Sequence, residues 1–129
     1  MTAGWGEVRS PFAAILRRAV EATPGAIGGS FADRTGEMVD AFAAGYDPHW
    51  WAVLTAYYGV VLAHLNSAFG IWHFGGPEFF VVEHAQIGVF VHTVDSGYYA
   101  LLAVTPPAPT ELALHRLAIA ATELRREMA

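Results

Sequence analysis

Asp47-Pro48-His49-Trp50-Trp51-Ala52-Val53-Leu54-Thr55-Ala56-Tyr57-Tyr58-Gly59-Val60-Val61-Leu62-Ala63-His64-Leu65-Asn66-Ser67-Ala68-Phe69-Gly70 decides how the rest of the chain is read. Asp47 offers a carboxylate to the orphan amides of a helix start, and Pro48 tolerates the first helical position. At about 100° per residue, Trp50, Leu54, Tyr57, Tyr58, Val61 and Leu65 gather into one bulky stripe. Ala52, Ala56, Gly59 and Ala63 fall together on roughly the opposite side. Bulky side chains suit burial on a sheet, whereas small ones let another backbone come close. A polar face is nearly missing, which does not suit the surface of a small monomer. The segment therefore reads as a helix held between its own sheet and a second subunit.

Upstream, Ser10-Pro11 opens a shorter helix, with Phe12, Ile15, Leu16, Ala19 and Val20 as its apolar stripe and Thr23-Pro24-Gly25 as its stop. Ala26 to Ala32 and Glu37 to Ala43 read as two strands joined by the turn Asp33-Arg34-Thr35-Gly36. Gly28 and Gly29 weaken the first strand, and their use is to let a helix pack close over it. Downstream of the long helix, Phe69 to Pro77 is an aromatic, glycine-rich connector. Three strands follow, Phe79 to His84, Val89 to Val94 and Tyr98 to Thr105, with turns at Ala85 to Gly88 and Asp95 to Gly97. After Pro106-Pro107-Ala108-Pro109, Thr110 is placed to cap a last helix. Leu114, Leu117, Ala118, Ala121, Leu124 and Met128 form that helix's core stripe. The order helix, two strands, helix, three strands, helix predicts an α/β three-layer sandwich (α+β) around one five-stranded antiparallel sheet. It forms a single domain over 10–129, preceded by a short tail over 1–9.

A chain of 129 residues supports one core, and a hydrophobic fraction of 54% is high for that size, which again implies surface covered by a partner. A membrane span needs about 20 predominantly apolar residues. The richest window, Trp50 to Leu65, is broken by Thr55 and His64, so no membrane insertion is expected. Met1 to Arg9 lacks the apolar core of a secretory signal. The net charge is −5, there is no Lys, and no basic stripe is interleaved with aromatics, which argues against nucleic acid. The lack of Cys removes disulfides, thiolate nucleophiles and Cys-based zinc sites, and fits a cytoplasmic protein.

Three pieces, Pro24-Gly25-Ala26-Ile27-Gly28-Gly29, Asp33-Arg34-Thr35-Gly36 and Asp95-Ser96-Gly97-Tyr98-Tyr99-Ala100-Leu101-Leu102, occur in an order and spacing that resembles the Roadblock / dynein light-chain family and its bacterial relatives. The likeness runs from about Ser10 to Met128. It implies a Roadblock/profilin-like sheet with the middle helix on one face and the terminal helices on the other. It also implies a dimer formed through the middle helix and the strand after it, joining two sheets edge to edge. On this chain that interface falls on Trp51, Ala52, Thr55, Ala56, Gly59, Ala63 and Asn66 of the helix and on Phe79, Val81 and Glu83 of the strand. Members typically act as scaffolds or regulators, often of small Ras-like GTPases, without catalytic machinery of their own. The present chain is heavier in aromatics than the family pattern, at Trp50, Trp51, Tyr57, Tyr58 and Trp72.

The residues that invite chemistry have blander readings. Six His are present, and His84 and His92 lie on adjacent strands, yet two ligands fall short of a zinc site and no His pair has zincin spacing. Glu37 and Asp40 point to opposite faces of a strand, so no acid–base pair forms there. Without Lys there is no Walker lysine, and the serines lack a nucleophile elbow. No catalytic residue, metal or cofactor is expected. Arg34 at a hairpin tip is the most exposed candidate for an arginine finger. Trp72 is expected to pack locally over the sheet edge, with a partner contact as the alternative. Adjacent Trp50 and Trp51 diverge by about 100°; Trp50 goes with the sheet-facing stripe and Trp51 to the side, able to anchor a partner. The function expected is a homodimeric adaptor, for which the family resemblance implies a small Ras-like GTPase as leading partner. The alternative is a small-molecule sensor with a pocket between the middle helix and the sheet.

Overall fold

The computed structural model of the chain describes residues 10–43 and 47–129. The tail expected over 1–9 lies outside them. The elements are α1 (Pro11–Glu21), β1 (Ala26–Ala32), β2 (Met38–Ala43), α2 (Pro48–Gly70), β3 (Phe79–Glu83), β4 (Gly88–Thr93), β5 (Tyr99–Val104) and α3 (Thr110–Met128). Every expected element is present, and most ends agree within a residue. The five strands form one antiparallel sheet in the order β2-β1-β5-β4-β3. β5 lies at its centre and is buried throughout, as its unbroken Tyr-Ala-Leu-Leu-Ala-Val run requires.

Alternation along each strand sorts the core into two layers. Phe31, Phe90, Ala100, Leu102 and Val104 face α1 and α3, where they meet Leu16, Ala19, Leu117, Ala121 and Leu124. Ala32, Val89, Val91, Tyr99, Leu101 and Ala103 face α2, where they meet Trp51, Tyr58 and Leu62. The middle helix therefore covers one face and the terminal helices the other.

Local chemistry fixes the ends. The Ala13 amide donates to Ser10 Oγ at 3.0 Å, capping α1, and the same hydroxyl donates to the Asp40 carboxylate, tying that cap to β2. The His49 amide donates to Asp47 Oδ1 at 2.8 Å, as the Asp-Pro start predicts. At the first hairpin, Asp33 Oδ1 accepts from the Thr35 amide at 2.8 Å, the Thr35 hydroxyl at 2.6 Å and the Glu37 amide at 3.1 Å. Gly36 closes that turn at φ +86°, a backbone conformation suited to glycine. The Thr35 hydroxyl holds the Asp33 carboxyl below its usual pKa, helped by the two amides and the Arg34 charge and opposed by burial.

Thr110 is a correction. It is the first residue of α3 rather than its cap; Pro109 stands at the cap position, and among the described residues no side chain caps the helix. The Thr110 hydroxyl donates instead to the Ala108 carbonyl at 3.5 Å. Glu111 does sit in the first turn, where the helix dipole favours it.

Of the described helices, only α2 is long and apolar enough to cross a bilayer. Here it lies on the sheet, with Trp51, Thr55, Tyr58 and Leu62 buried beneath it. Fully burying a large apolar side chain contributes roughly 1.5–3 kcal/mol, so Trp51, Tyr58 and Leu62 dominate this docking.

Candidate interaction site

The buried side of α2 differs from the sequence reading by one residue, a turn of about 100°. Trp51 is fully buried, whereas Trp50 is 40% and Tyr57 61% exposed. The two indoles meet edge to face, with centroids 5.2 Å apart. Trp51 is thus a core residue and not a partner anchor. Its ring lies over Gly28, where a Cβ would clash with the indole and sit 2.7 Å from Ala43 Cβ. The expected use of Gly28, admitting a helix closely, is what the structure shows.

Thr55 is also withdrawn from the interface. It is fully buried, and its hydroxyl shares a 2.7 Å hydrogen bond with Ser30 Oγ on β1. Two polar side chains can lie in an apolar layer because each satisfies the other. One turn along, the Tyr99 hydroxyl donates to the Thr55 carbonyl at 2.6 Å. Burial, with a smaller contribution from the Asp33 charge, pushes the Tyr99 phenol up to about 12.

The stripe of small residues does admit another backbone, but the neighbour is internal. A Cβ on Gly36 would lie 3.5 Å from Ala56 Cα, and a Cβ on Gly59 would run into the Tyr99 hydroxyl. Ala52 and Gly59 are accordingly half-buried, while Ala56, Ala63 and Asn66 remain exposed.

The outward side of α2 is set by Val53, Tyr57 and Val60, at 56%, 61% and 56% exposure. Ala56, Ala63, His64 and Ser67 complete the same face at helical spacing. From Pro48 to Pro77 there is no Asp, Glu, Arg or Lys. This is a long uncharged face on a surface helix.

Beside it, β3 forms an outer edge of the sheet, paired only with β4 among the described residues. Phe80 and Val82 pack toward α2, and Val81 packs toward the opposite layer. By alternation Phe79 and Glu83 share Val81's side; both are exposed, Phe79 at 48%. The Phe79 ring stacks on His92, centroids 6.1 Å apart. An apolar edge strand without a partner is a template for another strand.

Past β3, His84 Nε2 bonds the Tyr58 hydroxyl, and burial of Tyr58 raises its phenol pKa. His84 and His92 stand at opposite ends of the β3–β4 hairpin, and His92 Nδ1 lies 2.7 Å from the Thr93 carbonyl oxygen. Among the described residues no three metal-ligating side chains converge. Trp50, Val53, Leu54, Tyr57, Tyr58 and His84 line an open apolar groove of about 300 Å³ on the N-terminal half of α2. Beneath the helix, Trp51, Tyr58, Leu62 and Tyr99 fill the space that a ligand pocket would need.

Arg34 is exposed at the hairpin tip, and its Cβ packs closely over Gly97 in the β4–β5 turn. Sequence reasoning gave little weight to the connector as a surface. Ile71, Trp72 and Phe74 are 75%, 64% and 85% exposed, and Phe69 41%. The signal was present: four large apolar side chains, Phe69, Ile71, Trp72 and Phe74, fall within six residues at the end of α2.

No family model and no curated protein sequence matches the chain. Solved structures do. A Roadblock/LC7 domain from Streptomyces avermitilis superposes with a TM-score of 0.81 at 18% identity, over 90% of this chain and 96% of that one. The gliding protein MglB from Thermus thermophilus superposes at 0.82 and 17% identity over the whole of both chains. An MglB structure with a tetrameric arrangement matches at 0.82 and 17% identity, over 98% of this chain and 96% of that one. With the strand order and the faces taken by the three helices, this likeness shows that the chain folds as a Roadblock/LC7-type domain.

Proposed function

We propose that the chain is a non-enzymatic, homodimeric adaptor that binds a protein partner, acting in the cytoplasm. The observation that carries this is the outward face of α2, uncharged and apolar at Val53, Tyr57 and Val60, lying beside the open edge of β3. An apolar helix face next to an unpaired strand suits a second copy, which would extend the sheet and cover the helix together. The tetrameric arrangement of one MglB structure supports assembly as a property of this fold. The polar residues singled out in the sequence, Glu37, Asp40, His84 and His92, do not converge on a point where a reaction could be driven. The resemblance to the Roadblock family makes a small Ras-like GTPase the leading partner class. A dimer that regulates such a partner does so by binding one nucleotide state better than the other, since only differential affinity shifts an equilibrium.

Two measurements test this reading. Light scattering at micromolar concentration is expected to give the mass of two chains, and a single-chain mass refutes the dimer. Immobilised dimer is expected to retain a small GTPase from its own organism in one nucleotide state more than in the other. Equal retention, or none, refutes the switch.

A further inference from the structure

The outward face of α2 carries a concavity at one end and a protrusion at the other. The concavity is the groove lined by Trp50, Val53 and Tyr57. The protrusion is the connector after α2, where Ile71, Trp72 and Phe74 stand out from the surface. Neither carries an Asp, Glu, Arg or Lys side chain among its described residues, so apolar contact dominates both.

The two match under a two-fold axis. If β3 pairs antiparallel with its own copy about its middle residue, Val81, the axis passes close to the part of α2 level with Val81. That level is set by Tyr58, whose ring lies 6.4 Å from Phe80, and by Leu62 and Asn66, which lie beside Pro77. Val60 is the outward residue between them. Two helices crossing antiparallel at Val60 oppose residues equidistant from it in sequence. Tyr57 then faces Ala63, Val53 faces Ser67 and Trp50 faces Gly70, a large residue against a small one each time. Among the described residues nothing lies within 4 Å of the position a Gly70 Cβ would take, which leaves room for a neighbour at the end of the helix. At 1.5 Å per residue, Trp50 and Gly70 lie about 15 Å either side of the axis. Beyond Gly70 the chain doubles back, and Gly76 returns against Asn66, the residue that opposes Leu54 of the partner subunit, so the connector comes back over the partner's groove.

The area is sufficient. A large aromatic buries about 150–250 Å². At their exposed fractions, the four large apolar side chains on each element offer on the order of 900 Å² per chain, or about 1,800 Å² per pair, within the roughly 1,200–2,000 Å² of a stable interface. Without the connector, the helix faces alone supply about half of that.

We propose that the connector of one chain seats Trp72, flanked by Ile71 and Phe74, in the Trp50–Tyr57 groove of a second copy, so that each groove is completed by its partner. This rests on the dimer reading and extends it to a specific knob and hole. The contact is isologous: connector meets groove twice.

The cysteine-free sequence makes the test direct. Val60→Cys chains are expected to join through a short bismaleimide, reporting the axis alone. Neither His49→Cys nor Gly70→Cys is expected to join to itself, but a mixture of the two is. Trp72→Ser with Phe74→Ser is expected to raise the dimer dissociation constant at least tenfold while leaving the far-UV spectrum unchanged. If Val60→Cys joins and the mixture does not, the connector serves another occupant: the proposal is overturned and the dimer stands. If Val60→Cys also fails to join, both fall. An unchanged dissociation constant in the double serine variant overturns the proposal as well.

Discussion

Gly59 and Tyr99 give the sharpest test of how α2 is held. A Cβ on Gly59 would collide with the Tyr99 hydroxyl and lie 3.1 Å from Tyr99 Cζ and 3.4 Å from Gly36 Cα. Tyr99 is 2% exposed on the central strand, so its ring has little room to retreat. Gly59→Ala gains about 1 kcal/mol of helix propensity, set against roughly 1–3 kcal/mol for overpacking and about 0.5–1.5 kcal/mol if the hydroxyl loses the Thr55 carbonyl. The net expectation is a loss of about 1–2 kcal/mol. Tyr99→Phe alone costs about 0.5–1.5 kcal/mol, the value of the hydrogen bond. In the double variant the colliding oxygen is gone, and the helix gain offsets the close approaches that remain to the ring Cζ of residue 99 and to Gly36 Cα. The cost should then be close to that of Tyr99→Phe alone, a coupling of about 1–2 kcal/mol. Urea unfolding of the four proteins, followed by far-UV circular dichroism at one protomer concentration, measures the cycle; the concentration is held because dimerisation adds to apparent stability. Additivity within about 0.5 kcal/mol refutes the claim that Gly59 is there to make room for the hydroxyl.

Three further outcomes are expected. Because the folded Tyr99 pKa is raised to about 12, its contribution is intact below the unfolded value of about 10 and is lost as pH rises between the two; Tyr99→Phe should remove much of that alkaline fall in an unfolding series. Gly28→Ala should cost about 1–3 kcal/mol because of Trp51 and Ala43, whereas Gly70→Ala, with nothing among the described residues of its own chain within 4 Å, should cost clearly less; equal effects in urea titrations would refute the packing account. Val60→Glu should give a one-chain mass in light scattering with an unchanged far-UV spectrum, since an unpaired carboxylate at the axis would meet its own copy; a persisting dimer refutes the placement of the interface.

The fold was readable because its signals are local. Ser10-Pro11 and Asp47-Pro48 start helices and Asp33 to Gly36 turns a hairpin, so each element is fixed by its own residues. The azimuth of α2 was not readable. A helix with Trp50 and Trp51, then Tyr57 and Tyr58, on adjacent positions has almost no polar side to orient it, and the stripe chosen was off by one residue. The correct stripe contains Thr55, which composition sends outward and which Ser30, 25 residues earlier, and the Met38 sulfur make welcome inside. The interface list suffered for the same reason. Trp51 and Thr55 moved into the core, and Ala56 and Gly59 proved to be spaced for Gly36 and Tyr99. Trp50, Tyr57 and the connector took their place outside.

The hydroxyl pair between Ser30 and Thr55 is a small contact with a large effect on what the helix can become. In a cylinder that is greasy nearly all round, oil alone selects no orientation; two polar points inside select one. With the rotation set from within, the outer surface needs only to stay uncharged, and its shape can change without unseating the helix. On the proposed docking face, preference can therefore be retuned at Val53, Tyr57 and Val60 while the scaffold beneath stays put.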